Sequence, residues 1–360
     1  MNINFNEQQR QLIQSMAQYT IGVSRAGSGK TSCIVERVKF LHEERKIPYE
    51  EMVVITYTNA MTEELMKRLG RPHNLKIYTV HGYCNYLLLS SGITTFELLD
   101  KEKFDELFEV IKQHPEAVQP VTHLLLDEAN DSTATQFEFI LKVIKPKEWT
   151  FVGDPAQEIY DFNKDHDDTF IKLIHNDKVT TYYINTNYRN GRSILHFAKR
   201  FLYYLGEDYR DNSIPLRTIN GTVDEIACTQ QEAIEELLRI KDKYHTTWGD
   251  WFILCRKNTE ITQFQGLLTE MNIPTDTFKQ SEVENDQLEN RLKEDSIKIL
   301  TAHSSKGLEN KCVLSYNIMG YNDSESRLCY VAATRAKDHL IWAHIPSKRK
   351  KKKTKVVNWE

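Results

Sequence analysis

Short apolar runs alternate with helix-length amphipathic stretches along almost the whole 360-residue chain. Strands that are buried on both faces of a sheet read as continuous apolar runs, and the helices between them return the chain so that successive strands run parallel. The alternation therefore predicts an α/β fold built from parallel sheets. The predicted strands cover residues 19–24, 52–57, 76–80, 123–127, 150–153, 180–185, 221–228, 251–255, 297–302, 312–316 and 339–344.

The chain is long enough for two domains, because one domain usually takes about 100–200 residues. We place the first domain at residues 1–180, the second at residues 181–346 and a disordered basic tail at residues 347–360. Two segments interrupt the alternation. Residues 82–119 read as helices without a strand, which predicts a small helical insertion in the first domain, and the acidic segment 280–295 predicts a surface loop or an exposed helix.

The composition, with 40% hydrophobic and 27% charged residues, is typical of soluble globular proteins. No run approaches the roughly 18 apolar residues of a membrane span, and the first residues lack the pattern of a secretory signal. We therefore expect a cytoplasmic protein without a membrane partner. The six cysteines lie far apart without a C-x-x-C pair, which argues against a zinc ribbon or a disulfide framework and predicts buried thiols.

The charge is unevenly distributed along the chain. The net charge is −4, but seven basic residues lie within residues 348–355. The tail contains only one acidic residue, Glu360. The rest of the chain therefore has 40 basic and 50 acidic residues, a net charge of −10. Any groove for nucleic acid in the body of the protein must be local. The tail itself fits a solvated end, a phosphate-binding arm or an import signal.

The stretch VSRAGSGKTS at residues 23–32 lies between a predicted strand and a predicted helix, which is the position of a phosphate-binding loop. Ser24 stands where the usual pattern has its first glycine, and ordinary strand-end dihedral angles suffice there. Three residues let consecutive backbone N–H groups turn toward one anion at the positive end of the helix dipole: Gly27, Ser28 and Gly29. We expect Lys30 to contact the terminal phosphates of ATP and Thr31 to bind Mg²⁺.

The stretch LLLDEAND at residues 124–131 places two acids, Asp127 and Glu128, at the carboxyl end of a buried strand. Ligands of parallel sheets bind at such strand ends. We expect Asp127 to hold Mg²⁺ and Glu128 to orient and deprotonate the attacking water. This pairing predicts ATP hydrolysis. A phosphate-binding loop alone would also fit a kinase, a GTPase or a motor, so the decision depends on the other motifs.

Further motifs follow one another along the chain: FNEQQR (5–10), TYTNAMTEEL (56–65), YTVHGY (78–83), VGDPAQEIYDF (152–162), NYR (187–189), TAHSSKGLE (301–309) and YVAATRAK (330–337). With these motifs the chain resembles the UvrD/Rep/PcrA group of superfamily 1 DNA helicases from residue 5 to about residue 340. The resemblance implies two RecA-like domains. It also implies an ATP- and Mg²⁺-dependent motor that moves 3′ to 5′ on single-stranded DNA.

The resemblance assigns four side chains to the nucleotide: Gln9 reads the adenine, Tyr188 stacks on it, Glu309 accepts from the ribose and Gln157 senses the γ-phosphate. It also points to Arg189 and Arg335, each in a motif of the second domain. Charge that develops on a transferred phosphoryl group requires cations, and these two arginines are expected to arrive when the domains close.

A single strand is best held by aromatic stacking and backbone contacts, because every base has a π face. The resemblance places the following side chains on DNA: Tyr57, Thr58, Asn59, His81, Phe162, Thr301 and His303. Phe162 and Asn163 replace the tryptophan and arginine that are usual in the family, which predicts a weaker grip on the strand.

Other departures concern the phosphate loop and the insertions. Arg25 replaces a glycine that is common in the family, and Asn130 replaces a glutamine beside the acids. Family members usually carry large helical insertions in both domains, whereas here the first is reduced to residues 82–119 and the second is nearly absent. We expect the functions of these insertions to be missing or supplied by a protein partner.

The sequence thus predicts a compact ATP-driven translocase of bacterial or viral origin that acts on single-stranded DNA and tailed duplexes, in repair or replication. The alternative is an ATP-gated DNA-binding module, or the motor subunit of a larger complex, without independent unwinding. Action on RNA ranks lower, because no motif reads a 2′-hydroxyl group.

Overall fold

The structure is a computed structural model that describes residues 4–101, 103–159, 168–278 and 288–346. The chain divides into two compact units. The first unit contains the chain up to Asn185 except for two short segments, Ala26–Ser28 and Ala156–Ile159, which cluster with the second unit. The second unit continues from Thr186. Each unit has a parallel sheet of its own, which confirms the predicted α/β fold.

The first unit is built on six strands: β1 (Tyr19–Ser24), β2 (Met52–Thr56), β3 (Lys76–Thr79), β4 (His123–Leu126), β5 (Glu148–Gly153) and β6 (Thr180–Ile184). Their order in the sheet is β3-β2-β4-β5-β1-β6, and every pairing is parallel. The predicted domain boundary at residue 180 assigns the strand that begins there mostly to the second domain. In the structure it pairs with β1, with Thr20 opposite Thr180, so it completes the first sheet.

Helices cover both faces of this sheet and bury its apolar side chains in two clusters. They are α1 (Glu7–Ile13), α2 (Lys30–Glu43), α3 (Asn59–Leu69), α4 (Val80–Ser90), α5 (Phe96–Asp100), α6 (Glu106–Gln113), α7 (Ala134–Glu138), which continues as a π-helical segment (Phe139–Ile144), and α8 (Thr169–Ile174). The span 82–119 holds helices and a 3₁₀ turn, and no strand among its described residues, which confirms the predicted helical insertion.

The strands of the second unit are β7 (Thr186–Asn187), β8 (Ile214–Pro215), β9 (Thr222–Ala227), β10 (Trp251–Cys255), β11 (Thr275–Phe278), β12 (Ile297–Thr301), β13 (Asn310–Tyr316) and β14 (Ala336–His344). Six of them form a parallel sheet in the order β11-β12-β10-β13-β14-β9, and β7 pairs with β8. The helices are α9 (Arg192–Lys199), α10 (Gln230–Tyr244), α11 (Asn258–Glu270), α12 (Leu288–Lys293) and α13 (Asp323–Ala333).

The edge strand β11 is not among the predicted strands, because its sequence TDTF alternates instead of forming a continuous apolar run. In the predicted acidic loop or exposed helix at residues 280–295, the structure has the short helix α12. Residues 280–287 of that segment and the tail from residue 347 lie outside the described residues.

Residues that follow parallel strands share one edge of the sheet, and residues that precede them share the other. In the first unit the phosphate loop follows β1 and Asp127 follows β4, so both lie at the carboxyl edge. In the second unit Thr301 ends β12 at the carboxyl edge, whereas Glu309 and Arg335 directly precede β13 and β14 at the amino edge. Residues 302–309 therefore run from one edge of this sheet to the other.

All six cysteines are buried and free, as predicted. Burial, reinforced by the charge of Asp127, raises the pKa of the Cys33 thiol to about 12. In the part of the chain that the structure describes, no helix is both long and apolar enough to cross a membrane.

Candidate functional site

The phosphate loop begins directly after β1. Ser24 is the last residue of that strand and is fully buried, so extended backbone geometry suffices where the usual pattern has glycine. Gly27 and Gly29 have φ angles of 69° and 84°, a conformation that favours glycine. Gly29 is also the N-cap of α2, and it has no side chain to occupy the first N–H groups of the helix. The loop can therefore present backbone N–H groups to an anion.

Four predicted site residues meet at the carboxyl edge of the first sheet. The ammonium nitrogen of Lys30 lies 3.6 Å from Glu128 Oε1, and both side chains are largely buried. The Thr31 side chain lies close enough to Asp127 to act on its carboxyl, whose pKa it lowers. The structure thus brings together the lysine, the hydroxyl group and the two acids that the sequence analysis expects around the phosphates.

Asp127 is 1% exposed, and its environment suits a cation. Burial, and then the charge of Glu128, raise the pKa of the Asp127 carboxyl, and Lys30 only partly opposes this. Among the described residues, Asp127 Oδ2 and Glu128 Oε2 have no hydrogen-bond partner. Carboxylate and hydroxyl oxygens are suitable ligands for Mg²⁺. Asp127 and Thr31 therefore fit the predicted metal site.

Glu128 has a left-handed backbone conformation with φ 51°, which is uncommon for a residue with a Cβ atom. Such a conformation costs on the order of 1–2 kcal/mol and persists only where the surrounding structure holds it. Here the Asp131 N–H donates to the Glu128 carbonyl at 2.9 Å in the short turn that follows β4. The strain supports a functional placement of the Glu128 side chain.

Gln9 lies at the third position of α1 in a reciprocal cap with Asn6. The Asn6 Oδ1 atom accepts from the Gln9 backbone N–H at 2.9 Å, and Gln9 Oε1 accepts from the Asn6 N–H at 3.0 Å. The Gln9 amide also lies close to the phosphate loop, because a Cβ atom placed on Gly29 would be 3.2 Å from Gln9 Nε2. The predicted adenine reader is therefore held beside the loop by the start of its own helix.

A buried ion pair at the base of the phosphate loop was not predicted. Arg25 Nη1 donates to Asp154 Oδ1 at 2.8 Å, and both side chains are almost fully buried. The backbone N–H of Asp154 donates in turn to Asn130 Oδ1 at 2.7 Å. The two departures from the family pattern, Arg25 and Asn130, thus join the loops that follow β1, β4 and β5. The unusual arginine at position 25, in a loop that usually has glycine, is the sequence feature that could have indicated a buried ion pair.

In the second unit Arg335 is 1% exposed and closely held. Its Nε donates to the Val331 carbonyl at 2.9 Å, and its Nη1 donates to the Leu308 carbonyl at 3.0 Å. Its Nη2 lies 3.4 Å from Gln157 Oε1, so two predicted nucleotide residues are neighbours within this unit. The orientation of the guanidinium group is therefore fixed by the fold.

Arg189 forms an ion pair with Glu309, whose second carboxylate oxygen lies 2.9 Å from the ammonium nitrogen of Lys337. Burial acts to raise the pKa of Glu309, but the charges of Arg189 and Lys337 outweigh burial and lower it. The second unit thus has a compact charged cluster at the amino edge of its sheet, in which the predicted residues Arg189, Glu309 and Arg335 all take part.

The tip of the phosphate loop, Ala26–Ser28, packs within this second unit. The Tyr188 N–H donates to the Gly27 carbonyl at 2.8 Å, and Asn187 Nδ2 donates to the Ala26 carbonyl at 2.8 Å. A Cβ atom on Gly27 would lie 2.6 Å from the Cβ atom of Arg189, so only glycine fits there. Ser28 is buried next to it. The loop backbone and the motif around Arg189 are therefore packed without spare space.

The residues predicted to contact DNA in the first unit lie after β2 and β3. Tyr57 precedes Thr58, which is the N-cap of α3 and accepts from the Met61 N–H at 3.3 Å, and Asn59 begins that helix. His81 lies in the first turn of α4. Because β2 and β3 are adjacent and parallel, these side chains share the carboxyl edge of the first sheet.

His81 also contacts the helical insertion, which the sequence analysis did not anticipate. Its Nε2 lies 3.0 Å from Asp105 Oδ1, and its ring stacks on Phe108 with a centroid distance of 5.0 Å. The side chain is 30% exposed, so one part remains accessible.

In the second unit the hydroxyl groups of Thr301 and Ser304 lie 2.9 Å apart. Burial, and then the charge of Arg256, lower the pKa of His303. Both predicted DNA contacts lie at or just beyond the carboxyl end of β12. Phe162, the remaining predicted contact, and its neighbour Asn163 lie outside the described residues.

Comparison with protein families gives two matches. Residues 5–116 and 93–178 match the UvrD/REP helicase N-terminal domain, and residues 277–346 match the UvrD-like helicase C-terminal domain. The two matches together span more than half of the chain, and they include the phosphate loop, both acids and Arg335.

Several curated proteins are similar to this chain. A protein of Anoxybacillus flavithermus that is named as a subunit of an ATP-dependent helicase/nuclease is 34% identical over 103 residues, which cover 22% of this chain and 8% of the relative. A probable DNA helicase of Mycoplasma pneumoniae is 21% identical over 94% of this chain and 83% of the relative. A probable DNA helicase II homolog of Mycoplasma genitalium is 21% identical over 73% of this chain and 53% of the relative. The matched part is thus only a small share of the first relative and about half of the third.

Proposed function

Because this chain belongs to the UvrD/REP helicase family, we propose that it is an ATP-dependent motor that translocates on single-stranded DNA and unwinds tailed duplexes in the 3′ to 5′ direction. The observation that carries the proposal is the buried group of Lys30, Thr31, Asp127 and Glu128 beside the phosphate loop. A structural ion pair would not require a strained acid and a second carboxylate without a full set of partners.

We assign ATP binding to the backbone of the phosphate loop and to Lys30. Thr31 and Asp127 would hold Mg²⁺, which when bound neutralises charge on the phosphates. Glu128 would orient the attacking water and accept its proton, since its carboxylate is held next to Lys30 at the sheet edge where the phosphates bind. Gln9 would contact the adenine from its place beside Gly29.

We assign charge stabilisation on the transferred phosphoryl group to Arg189 and Arg335, with Gln157 as the γ-phosphate sensor. Tyr188 would stack on the adenine and Glu309 would accept from the ribose. Support comes from the contacts of Arg335 with Gln157 and of Arg189 with Glu309 within the second unit, which fix the orientation of these side chains before any substrate contact. Such preorganised cations are effective because they need little rearrangement during the reaction.

In each unit we assign DNA contacts to residues that follow strand ends. Tyr57, Thr58, Asn59 and His81 follow β2 and β3, and Thr301 and His303 lie at and after the end of β12. Aromatic stacking and polar backbone contacts would bind the strand without reading its sequence. Phe162 remains a further predicted contact.

A motor of this kind acts where the DNA is, so we also propose a cytoplasmic location.

The ATPase rate with and without single-stranded DNA tests the proposal. We expect stimulation of at least about tenfold by DNA, and unwinding of duplexes with a 3′ tail but not of those with a 5′ tail. Single-stranded RNA of the same sequence serves as the comparison polymer. A rate that DNA does not change would contradict the motor function, whereas unwinding from the 5′ tail would contradict the polarity alone.

The second candidate is an ATP-gated DNA-binding module, or a motor subunit that needs a protein partner to unwind. It is favoured by the small helical insertion and by the similarity to a protein named as part of a helicase/nuclease. Displacement of streptavidin from biotinylated single strands separates the candidates. A translocase displaces it on every strand that it travels, whereas a clamp hydrolyses ATP slowly and leaves it bound.

A further inference from the structure

One buried side chain, Asn190, fixes the backbone on both sides of Arg335. Asn190 is 0% exposed. Its Nδ2 donates to the carbonyl oxygen of Thr334 at 3.0 Å and to that of Ala336 at 2.6 Å, the residues directly before and after Arg335. Both N–H groups of the amide are therefore used, and its oxygen accepts from Asn187 Nδ2 at 2.9 Å. The peptide groups that flank Arg335 are held by the residue next to Arg189.

Arg217 connects the backbone of Arg189 with the backbone that follows Arg335. Its Nη1 lies 2.9 Å from the carbonyl oxygen of Arg189 and 3.0 Å from that of Lys337, and it forms an ion pair with Asp338 at 2.7 Å. The Gly191 N–H also donates to the Lys337 carbonyl at 2.8 Å. The backbone of Arg189 is thus tied to the residues that follow Arg335.

We propose that Asn190 and Arg217 are positioning residues that hold Arg189 and Arg335 as one rigid body. The inference rests on the proposed function of these two arginines in ATP hydrolysis. A cation stabilises a developing charge only from the correct position, and a displacement of about 1 Å can cost about 100-fold in rate. Because their backbones are held together by hydrogen bonds, Arg189 and Arg335 would approach the phosphates as a pair. Neither side chain would then have to be oriented independently in each cycle of ATP hydrolysis.

The bracing could instead serve folding only, because Asn190 also caps the carbonyl end of α13. The two roles differ in their kinetic effect. Loss of positioning lowers kcat while leaving the KM for ATP almost unchanged, and its effect disappears once the positioned arginine is removed. Loss of stability alone lowers the fraction of folded enzyme and acts equally in every background.

The experiment compares Arg217→Met, Arg189→Ala and the double variant in DNA-stimulated ATP hydrolysis. Arg217 is 24% exposed, so its replacement creates no sealed cavity. We expect Arg217→Met to lower kcat about tenfold with the KM for ATP within about twofold of the wild type. In the Arg189→Ala background the same change should alter kcat by less than about twofold. Arg239→Met removes an exposed ion pair on α10 and serves as the matched control without effect.

Asn190→Asp is the second variant, because it keeps the size of the side chain and removes both donors. We expect a loss in kcat of about 100-fold, with folding checked by thermal melting. If Arg189→Ala leaves kcat unchanged, the arginine assignment fails and this inference fails with it. If Arg189→Ala slows hydrolysis but the loss caused by Arg217→Met is absent, or is equal in both backgrounds, the inference alone is overturned.

Discussion

The two units place their chemistry differently on similar parallel sheets. In the first unit the phosphate loop, the two acids and the predicted DNA contacts Tyr57 and His81 all follow strands at the carboxyl edge. The amino edge of that sheet holds a structural network instead, in which Glu148 pairs with Arg45 and His123. In the second unit Thr301 lies at the carboxyl edge, whereas Glu309 and Arg335 lie at the amino edge.

Under the proposed function, the two units would connect the nucleotide residues with the DNA contacts in two different ways. In the first unit the connection runs between neighbouring strands, because β2 and β4 are adjacent. The predicted DNA contact Tyr57 follows β2, and the predicted metal ligand Asp127 follows β4. In the second unit the connection runs along the strands through residues 302–309. The predicted site residues of the first unit thus lie at one edge of its sheet, whereas those of the second unit lie at both edges.

The largest expected effect concerns the carboxyl edge of the first sheet. Lys30→Ala and Glu128→Gln should each lower DNA-stimulated ATP hydrolysis by at least about 1,000-fold, because one removes the phosphate contact and the other removes the base. Steady-state ATPase assays measure the loss, and circular dichroism verifies the fold. Unchanged turnover in both variants would show that this edge is not the reaction site.

The next effect concerns the base of the phosphate loop. Arg25→Met should lower the free energy of unfolding by about 3–5 kcal/mol, because it leaves the buried Asp154 carboxylate without its ion-pair partner. Urea unfolding followed by tryptophan fluorescence measures the change. Arg68→Met, which removes an exposed pair on α3, is the control and should change stability by less than about 1 kcal/mol. Equal effects of the two variants would refute a structural role for the buried pair.

The amino edge of the first sheet should make stability depend on pH. Burial lowers the pKa of His123 to about 4, and the Arg37 and Arg45 charges add to this effect although Glu148 opposes it. The unfolded chain binds this proton near pH 6.5 and the folded chain does not, so stability falls as the pH drops from about 6.5 toward 4. The loss between pH 7 and pH 5 should be on the order of 2 kcal/mol.

Urea unfolding of wild type and His123→Gln at the two pH values measures this contribution. The variant should lose about 2 kcal/mol less than the wild type between pH 7 and pH 5. Below pH 4.5 a further loss is expected in the wild type, because hydrogen bonding to His123 and pairing with Arg45 lower the pKa of Glu148 to about 2. This loss should be smaller in the variant, where only Arg45 remains. Identical pH dependence above pH 4.5 would remove His123 from the explanation.

The smallest effect concerns the segment 302–309 of the second unit. Gly307 has φ 82° with open space around a built Cβ atom, so Gly307→Ala strains the backbone by about 1 kcal/mol without a clash. We expect the stimulation of ATP hydrolysis by DNA to fall a fewfold. Gly266→Ala in α11 has the same open space without a positive φ, and it should leave the stimulation unchanged. Equal stimulation in both variants would argue against coupling through this segment.

The sequence was most informative where local signals coincide. The strands β1 and β4 are apolar runs that end in a phosphate loop and in two acids, so one short stretch predicts both the strand and its chemistry. The membership of β6 could not be predicted in this way, because a strand is assigned to a sheet by its pairing with a distant segment. The short edge strand β11 has an alternating sequence and gives no apolar signal.

Contacts between distant residues account for the rest. Arg25 and Asp154 are 129 positions apart, and nothing in either local sequence links them. The contact of His81 with Asp105 depends on how the helical insertion folds back onto α4. The bracing by Asn190 and Arg217 uses backbone carbonyl groups, which every residue has, so residue identity could not indicate their partners.

Residues 302–309 link the two edges of the second sheet over a short distance. Thr301 lies opposite Cys255, and the Asn310 side chain donates to the carbonyl of Gly249. Gly249 precedes Cys255 by six residues, so Thr301 and Asn310 are about 20 Å apart along the strand direction. The nine residue steps from Thr301 to Asn310 reach at most about 30–32 Å when fully extended, and three internal hydrogen bonds shorten this segment. Because this short segment links Thr301 directly to Asn310, we expect a displacement of the predicted DNA contact Thr301 to shift Glu309, the predicted ribose contact, through the backbone alone.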